Sequence, residues 1–360
     1  MLRYRVVGPG SVCNQTVAVG AILKTVGMTR NALTTLDFEA RAEVIESQDL
    51  DNYDKNLQNA AREFAETARS QSALIARLLE DEERFQLQLG RRSWGRMLDE
   101  YVGVLILAKQ TGEWFVNNAP ATNASTPRDP RWWPVVTLNA RLWRVGFEVH
   151  TLLRAGFGKG ALARARTMYE AALTARIIGE LGAPGSDTAD LGPRYQASEQ
   201  VERYRDALEY NKHASESDRF SDAEIARWRE ERDQAVATWG KSITRTNGWA
   251  HTVLPDVAKI TVPHLEGLVD WQGHRPFYRL ANHEVHPTSR GGVTNTYVDL
   301  GGSTVHSTGR RFRALGEPAS MATTYLTQGL VSLIADTGVE PETKTTLALA
   351  TEPPRHVRRL

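Results

Sequence analysis

Cysteine is almost absent from this chain: Cys13 is the only one in 360 residues. A single thiol closes no internal disulfide and cannot build a cysteine–histidine zinc site. A chain of this length without disulfides fits a reducing compartment, so a cytoplasmic location is expected. An excess of one charge is also missing. The 44 Lys and Arg against 43 Asp and Glu leave a net charge of +1, so no global field draws in nucleic acid or an acidic membrane. Any polyanion binding has to come from a local patch. Long apolar runs are lacking too; the longest, Val102 to Ala108, is a core segment, and no membrane partner is expected. Met1 to Gly27 has neither the charged nor the apolar region of a signal peptide. Met28 is an alternative translation start, and residues 1–35 are given no structural weight. There are no internal repeats.

What is present is an ordinary globular composition, 41% apolar and 24% charged, in a chain long enough for one large domain or two average ones. Leu36 to Leu89 is charged, alanine-rich and free of proline and glycine. Leu57, Ala60, Ala61, Phe64, Ala68, Leu74, Ile75 and Leu78 recur at helical spacing, which predicts a long amphipathic helix or two antiparallel ones joined near Asp51. Further helices are expected over about Arg96–Gln110 and Glu113–Asn117. Asn118 to Pro134, with its prolines and the Trp132-Trp133 pair, reads as a loop that separates an N-terminal helical module (36–117) from a main domain (135–337). In that domain helices are expected over Val135–Ala155, Lys159–Leu181, Arg194–Lys212, Asp222–Thr246 and Pro318–Asp336. Two short β-prone pieces, Thr294–Leu300 and Ser303–Ser307, flank Gly301-Gly302 as in a hairpin. Residues 338–360 read as a flexible polar tail. The expected fold class is therefore all-α, a mainly helical bundle with one small β-hairpin near the C-terminus.

The richest stretch chemically runs from Phe277 to Pro287. Pro276 suits the first turn of a helix, and Pro287 with Gly291-Gly292 ends it. At 100° per residue Tyr278, Asn282, His286, Arg279 and His283 fall within an arc of about 140°. Solvated helix faces are usually Lys, Glu and Gln, so this row reads either as the wall of a site or as a buried structural network. His286 precedes proline and is pushed to the helix C-terminus. There the helix dipole favours the imidazolium.

A second constellation lies after Gly158. Leu162, Ala165, Tyr169, Ala172, Leu173, Ile177 and Leu181 form an apolar arc, and Arg166 and Glu170, spaced i and i+4, fall inside it. They form either a salt bridge at the core's edge or a pair facing the first helix, where they would orient Tyr278, Asn282 or His286. In the second reading Glu170 fixes a histidine tautomer and Arg166 binds an anion.

Metal binding is the minority reading. Seven of the nine histidines lie between His213 and His306, yet His283-Glu284-Val285-His286 is not the His-Glu-x-x-His pattern, and supporting carboxylates are not evident. Gly156-Phe157-Gly158-Lys159-Gly160 mimics a phosphate loop without the preceding strand or the glycine spacing, and reads as a tight interhelical turn. Cys13 is no credible nucleophile.

Leu153 to Glu170, followed by Tyr278 to Pro287, resembles the bacterial domain-of-unknown-function family numbered 5677. Arg166, Glu170, Tyr278, Asn282, His286 and Pro287 occupy its motif positions, and the likeness covers roughly Leu138 to Asp336. That resemblance implies a mainly helical domain with no established activity. A more distant resemblance is to HEPN domains, which are helical, usually dimeric, and often metal-independent ribonucleases carrying Arg-x(4–6)-His near a helix end. Arg279 and His286, six residues apart, fit that pattern. The resemblance implies His286 as acid or base on a ribose 2′-hydroxyl, Arg279 stabilising the transition state and Glu170 orienting it. Arg166, Tyr278, Asn282 and His283 would bind substrate. RNA or a nucleotide is the expected partner, with a second copy of the chain to complete the site and no cofactor or metal. The alternative is a non-enzymatic interaction protein whose long N-terminal helices bind a partner; a metal-dependent hydrolase ranks third.

Overall fold

The computed structural model describes residues 3–5, 62, 66, 69–70, 72–117, 129–286, 289–293, 296–298, 304–307 and 315–335. The expected helices before Ser72, the join near Asp51 and the tail from 338 lie outside them. The chain forms two compact units, one of residues 1–89 with 292–310 and one of 90–291 with 311–360. The fold is all-α. No helix among the described residues is long and apolar enough to cross a membrane.

Among the described residues nine α-helices follow in order: α1 (Ser72–Asn117), α2 (Trp132–Arg154), α3 (Gly158–Leu181), α4 (Leu191–His213), α5 (Asp222–Trp239), α6 (Val262–Leu268), α7 (Arg275–Val285), α8 (Ser289–Val293) and α9 (Gly316–Ala335). In the smaller unit three short strands, β1 (Arg3–Arg5), β2 (Thr296–Val298) and β3 (Thr304–Ser307), pair antiparallel in the order β1-β3-β2. Residues 299–303, where a hairpin would turn, are outside the described residues.

Helix α1 is one element where the sequence predicted three pieces, the end of the Leu36–Leu89 helix and separate helices over about Arg96–Gln110 and Glu113–Asn117. A helical glycine costs about 1 kcal/mol relative to alanine, and Gly103 and Gly112 meet nothing there that a side chain would strike. Tyr101, Leu105, Ala108 and Phe115 are buried along one face, and continuing the helix keeps all four in register. The division between the units falls at Leu89–Gly90, so these later turns belong with the helices that follow. The Tyr101 hydroxyl donates to the Gly146 carbonyl at 3.0 Å, and Trp143 Nε1 donates to the Leu105 carbonyl at 3.1 Å.

Helix α2 buries Val135, Leu138, Leu142, Val145, Val149 and Leu153 at steps of three and four. It stops at Gly156, whose φ of 79° suits glycine. The Phe157 amide bonds back to the Leu152 carbonyl and the Gly156 amide to that of Leu153, the paired closure of a helix end. The glycine-rich run is thus a turn, as its missing strand implied. Helix α3 follows and is buried nearly all round, from Ala161 to Gly179, against α2, α6, α7 and α9. Gly329 of α9 lies so close to Leu142 of α2 that a methyl there would sit 2.3 Å from its Cδ1.

The helix expected over Asp222–Thr246 ends at Trp239. Gly240, at φ 78°, breaks it, and two 3-10 turns, Lys241–Thr244 and Gly248–Thr252, carry the chain on. Its start is held by the Ser221–Glu224 capping box.

Leu142 is fully buried between α2 and α9. Truncating it to alanine is expected to cost about 2–5 kcal/mol, read as a lowered urea midpoint with unchanged slope.

Candidate functional site

Helix α7 starts with Pro276 in its first turn and ends at His286, whose φ −106° and ψ 145° are extended, as a following proline requires. Helix α3 turns Arg166 and Glu170 towards it. The Arg166 guanidinium uses all three nitrogens: Nε donates to Glu170 Oε1 at 3.1 Å, Nη2 to the Tyr278 hydroxyl at 3.2 Å, and Nη1 reaches His286 Nε2 at 3.2 Å. The Tyr278 hydroxyl in turn donates to Glu170 Oε1 at 3.1 Å. Arginine has no acceptor, so His286 Nε2 accepts and carries no proton in this arrangement. Only a planar fork can hold three partners in this way; a lysine ammonium cannot.

Arg166, Glu170, Tyr278 and His286 therefore form one hydrogen-bonded group. Arg279 is exposed and is not the guanidinium beside His286; Arg166 is. His283 is half-buried on the same helix. Asn282, between Tyr278 and His286 on that face, has a buried Oδ1 with no partner among the described residues. Lys159 at the start of α3 and Glu284 near the end of α7 approach to 3.7 Å.

Behind this group lies a second network. Tyr278 packs on Tyr169 with ring centres 4.9 Å apart. The Tyr169 hydroxyl donates to Glu266 Oε1, and Arg275 Nε donates to Oε2, both at 2.5 Å. Glu266 is wholly buried, while Arg275 stays partly in water. Burial, reinforced by the Glu266 hydrogen bond and charge, pushes the Tyr169 phenol far up. Burial and Glu170 raise Tyr278 as well, against the opposing pull of Arg166. Trp271, Tyr325 and His274 pack around this network. Burial, then Arg176, holds the His274 imidazole below its usual range. Glu266, Arg275 and the polar role of Tyr169 were not singled out from the sequence. The available signal was Glu266 within the mostly apolar run Leu265 to Trp271, which also carries Asp270.

Glu170 also lines a polar cleft of about 630 Å³ between α2, α3, α4 and the turns after Gly240. Among the described residues no group of three or more His, Cys, Asp or Glu is placed to hold a metal ion.

A scan against protein families matches residues 133–300 to a family of unknown function, DUF5677. No curated protein and no solved structure matches the chain. The DUF5677 segment runs from the start of α2 through β2 and holds both halves of the Arg166–His286 group. It stops before α9, short of the limit near Asp336 that the motifs suggested.

Two outcomes follow from the buried charges. Glu266→Ala leaves Arg275 and Tyr169 without their acceptor and should cost about 3–5 kcal/mol, whereas Glu170→Gln, at the surface, should cost under about 1 kcal/mol; urea unfolding separates the two. His274 has its folded pKa lowered, so the folded state binds fewer protons and its contribution is present above the ordinary histidine range and lost as pH falls. The urea midpoint should drop between pH 7.5 and 5.5, and drop less in His274→Gln.

Proposed function

We propose that the protein is a HEPN-like, nucleotide- or RNA-directed effector that acts at His286, with Arg166 rather than Arg279 as the guanidinium beside it. The observation that carries the reading is the contact between an exposed imidazole and a guanidinium already held by Glu170 and Tyr278. Acid–base chemistry on a phosphodiester needs those two groups together, one to move a proton and one to meet developing negative charge.

In this reading His286 Nε2 accepts the proton of a ribose 2′-hydroxyl. The freed oxygen attacks the neighbouring phosphorus and the bond to the 5′-oxygen breaks. A 2′,3′-cyclic phosphate remains, and the departing 5′-oxygen takes up a proton from the imidazolium. Arg166 turns its N–H groups from His286 to the phosphoryl oxygens. Glu170 and Tyr278 touch no reacting atom and act as positioning residues that fix the guanidinium plane. No metal enters any of these steps.

A second reading has its own observation. On α1, Leu74, Phe85 and Leu89 are exposed and fall within an arc of about 60° at 100° per residue. An uncovered apolar stripe suits a non-enzymatic protein that docks a partner there.

The test is growth and total-RNA integrity in bacteria expressing the wild type, His286→Ala or Arg166→Lys, with purified protein on end-labelled RNA beside it. Each variant is expected to lower cleavage by about 100-fold or more at an unchanged melting temperature, and the cut ends should be cyclic phosphates. Intact RNA with folded wild-type protein would turn the balance to the interaction reading.

A further inference from the structure

We propose that the cleft beside Glu170 is a binding site for a nucleoside phosphate. The proposal deepens the reading above, from which it takes only the class of ligand. At about 630 Å³ the cleft is the right size for one nucleotide. Its wall carries three arginines from three elements: Arg141 on α2, Arg205 on α4 and Arg245 in the turns after α5.

Two of these are fixed in place through backbone carbonyls. Arg205 donates to Thr244 O at 2.6 Å and Arg245 to Ala258 O at 3.3 Å. Each bond uses one N–H and leaves the rest of the fork to a ligand. The Arg141 guanidinium makes no hydrogen bond or ion pair among the described residues. The turn that carries Arg245 is tightly packed. Asn247 holds a left-handed φ of 55° and donates to the Ile260 carbonyl at 3.2 Å. Gly248 packs so tightly that a methyl there would sit 2.1 Å from Ser242 O.

The rest of the lining argues against a bare anion. Tyr195 and Trp249, packed edge to face at 5.6 Å, give an aromatic wall. Glu170, Glu199 and Glu202 also line the cleft, Glu199 already paired with Arg203 and Glu202 within electrostatic reach of Arg205 and Arg141. Glu170 Oε1 is taken by Arg166 and Tyr278, whereas its Oε2 has no hydrogen-bond partner among the described residues. A ligand that fits such a wall carries an anionic group, N–H or O–H donors and a flat ring. A nucleoside phosphate has all three, with phosphate for the arginines, base amino or ribose hydroxyl groups for the glutamates, and a base for the aromatic side. Glu170 is then shared between the cleft and the His286 group, so a nucleotide bound here lies beside the residues assigned to the chemistry.

The experiment is calorimetric titration of the full chain with the four nucleoside 5′-monophosphates, with adenosine, with inorganic phosphate, and with an eight-residue oligonucleotide lacking 2′-hydroxyls. It is repeated on Arg141→Ala and on Arg141→Ala/Arg245→Ala. At least one monophosphate should bind, at least tenfold tighter than nucleoside or phosphate alone. Arg141→Ala should weaken it by about tenfold and the double variant further, at equal melting temperature. If Arg245→Ala shifts the melt, the single Arg141 variant, which leaves those backbone bonds intact, carries the comparison. An oligonucleotide that binds tighter and displaces the monophosphate identifies a nucleic-acid strand as the source; equal affinity identifies a free nucleotide. Binding with these losses but no RNA cleavage keeps this inference and removes the ribonuclease reading. Absence of monophosphate binding, or binding indifferent to Arg141, overturns it even if RNA is cut.

Discussion

The burial of α3 sets the terms for the rest of the domain. Apolar and small side chains from Ala161 to Gly179 meet neighbours on almost every side, and the turn at Gly156 fixes where the helix begins relative to α2. A helix so enclosed can carry polar side chains only where a neighbour accepts them. Tyr169 is met by the Glu266 carboxylate, Arg166 by groups on α7, and Glu170 by α7 on one side and the open cleft on the other. Each of these polar side chains is therefore placed by the packing of the helix that bears it.

Helix α7 is short, and its own residues would not hold it in water; isolated helices of this length are marginal. It is tied at both ends instead. Arg275 at its start reaches the buried Glu266, and Tyr278 and His286 further along meet Arg166. A wholly buried carboxylate is costly, and a hydrophobic replacement would often be as stable. What Glu266 supplies is a defined position for Arg275 and Tyr169, hence for the ring of Tyr278 stacked on Tyr169. The geometry around His286 is thereby coupled to the core, without His286 itself being buried.

Much of this arrangement was legible in advance because the relevant signals are local. Pro276 and Pro287 bracket α7, the residue before a proline leaves the helix, and five polar positions share one arc whatever surrounds them. Arg166 and Glu170 stood out as charges inside an apolar arc. The breaks were less legible. Whether Gly112 interrupts α1, or Gly240 ends α5, depends on what lies across from each. The first faces open space in a helix whose far side is buried, whereas the second takes a left-handed conformation that no helix tolerates. The pairing of His286 with Arg166 rather than Arg279 was beyond any spacing rule, since the two are 120 residues apart.

The sequence by itself determined the all-α class, most of the helices of the larger unit, the polar face of α7 and the end of that helix at His286. Each follows from side-chain period, proline or glycine within a few residues. Only the tertiary structure decided that Glu266 lies under the site, that Arg166 is the guanidinium at His286, and that Arg141, Arg205 and Arg245 ring one cleft with Glu170. Those are meetings of residues far apart in the chain. They are set by how four helices pack around α3, and no local pattern encodes that packing.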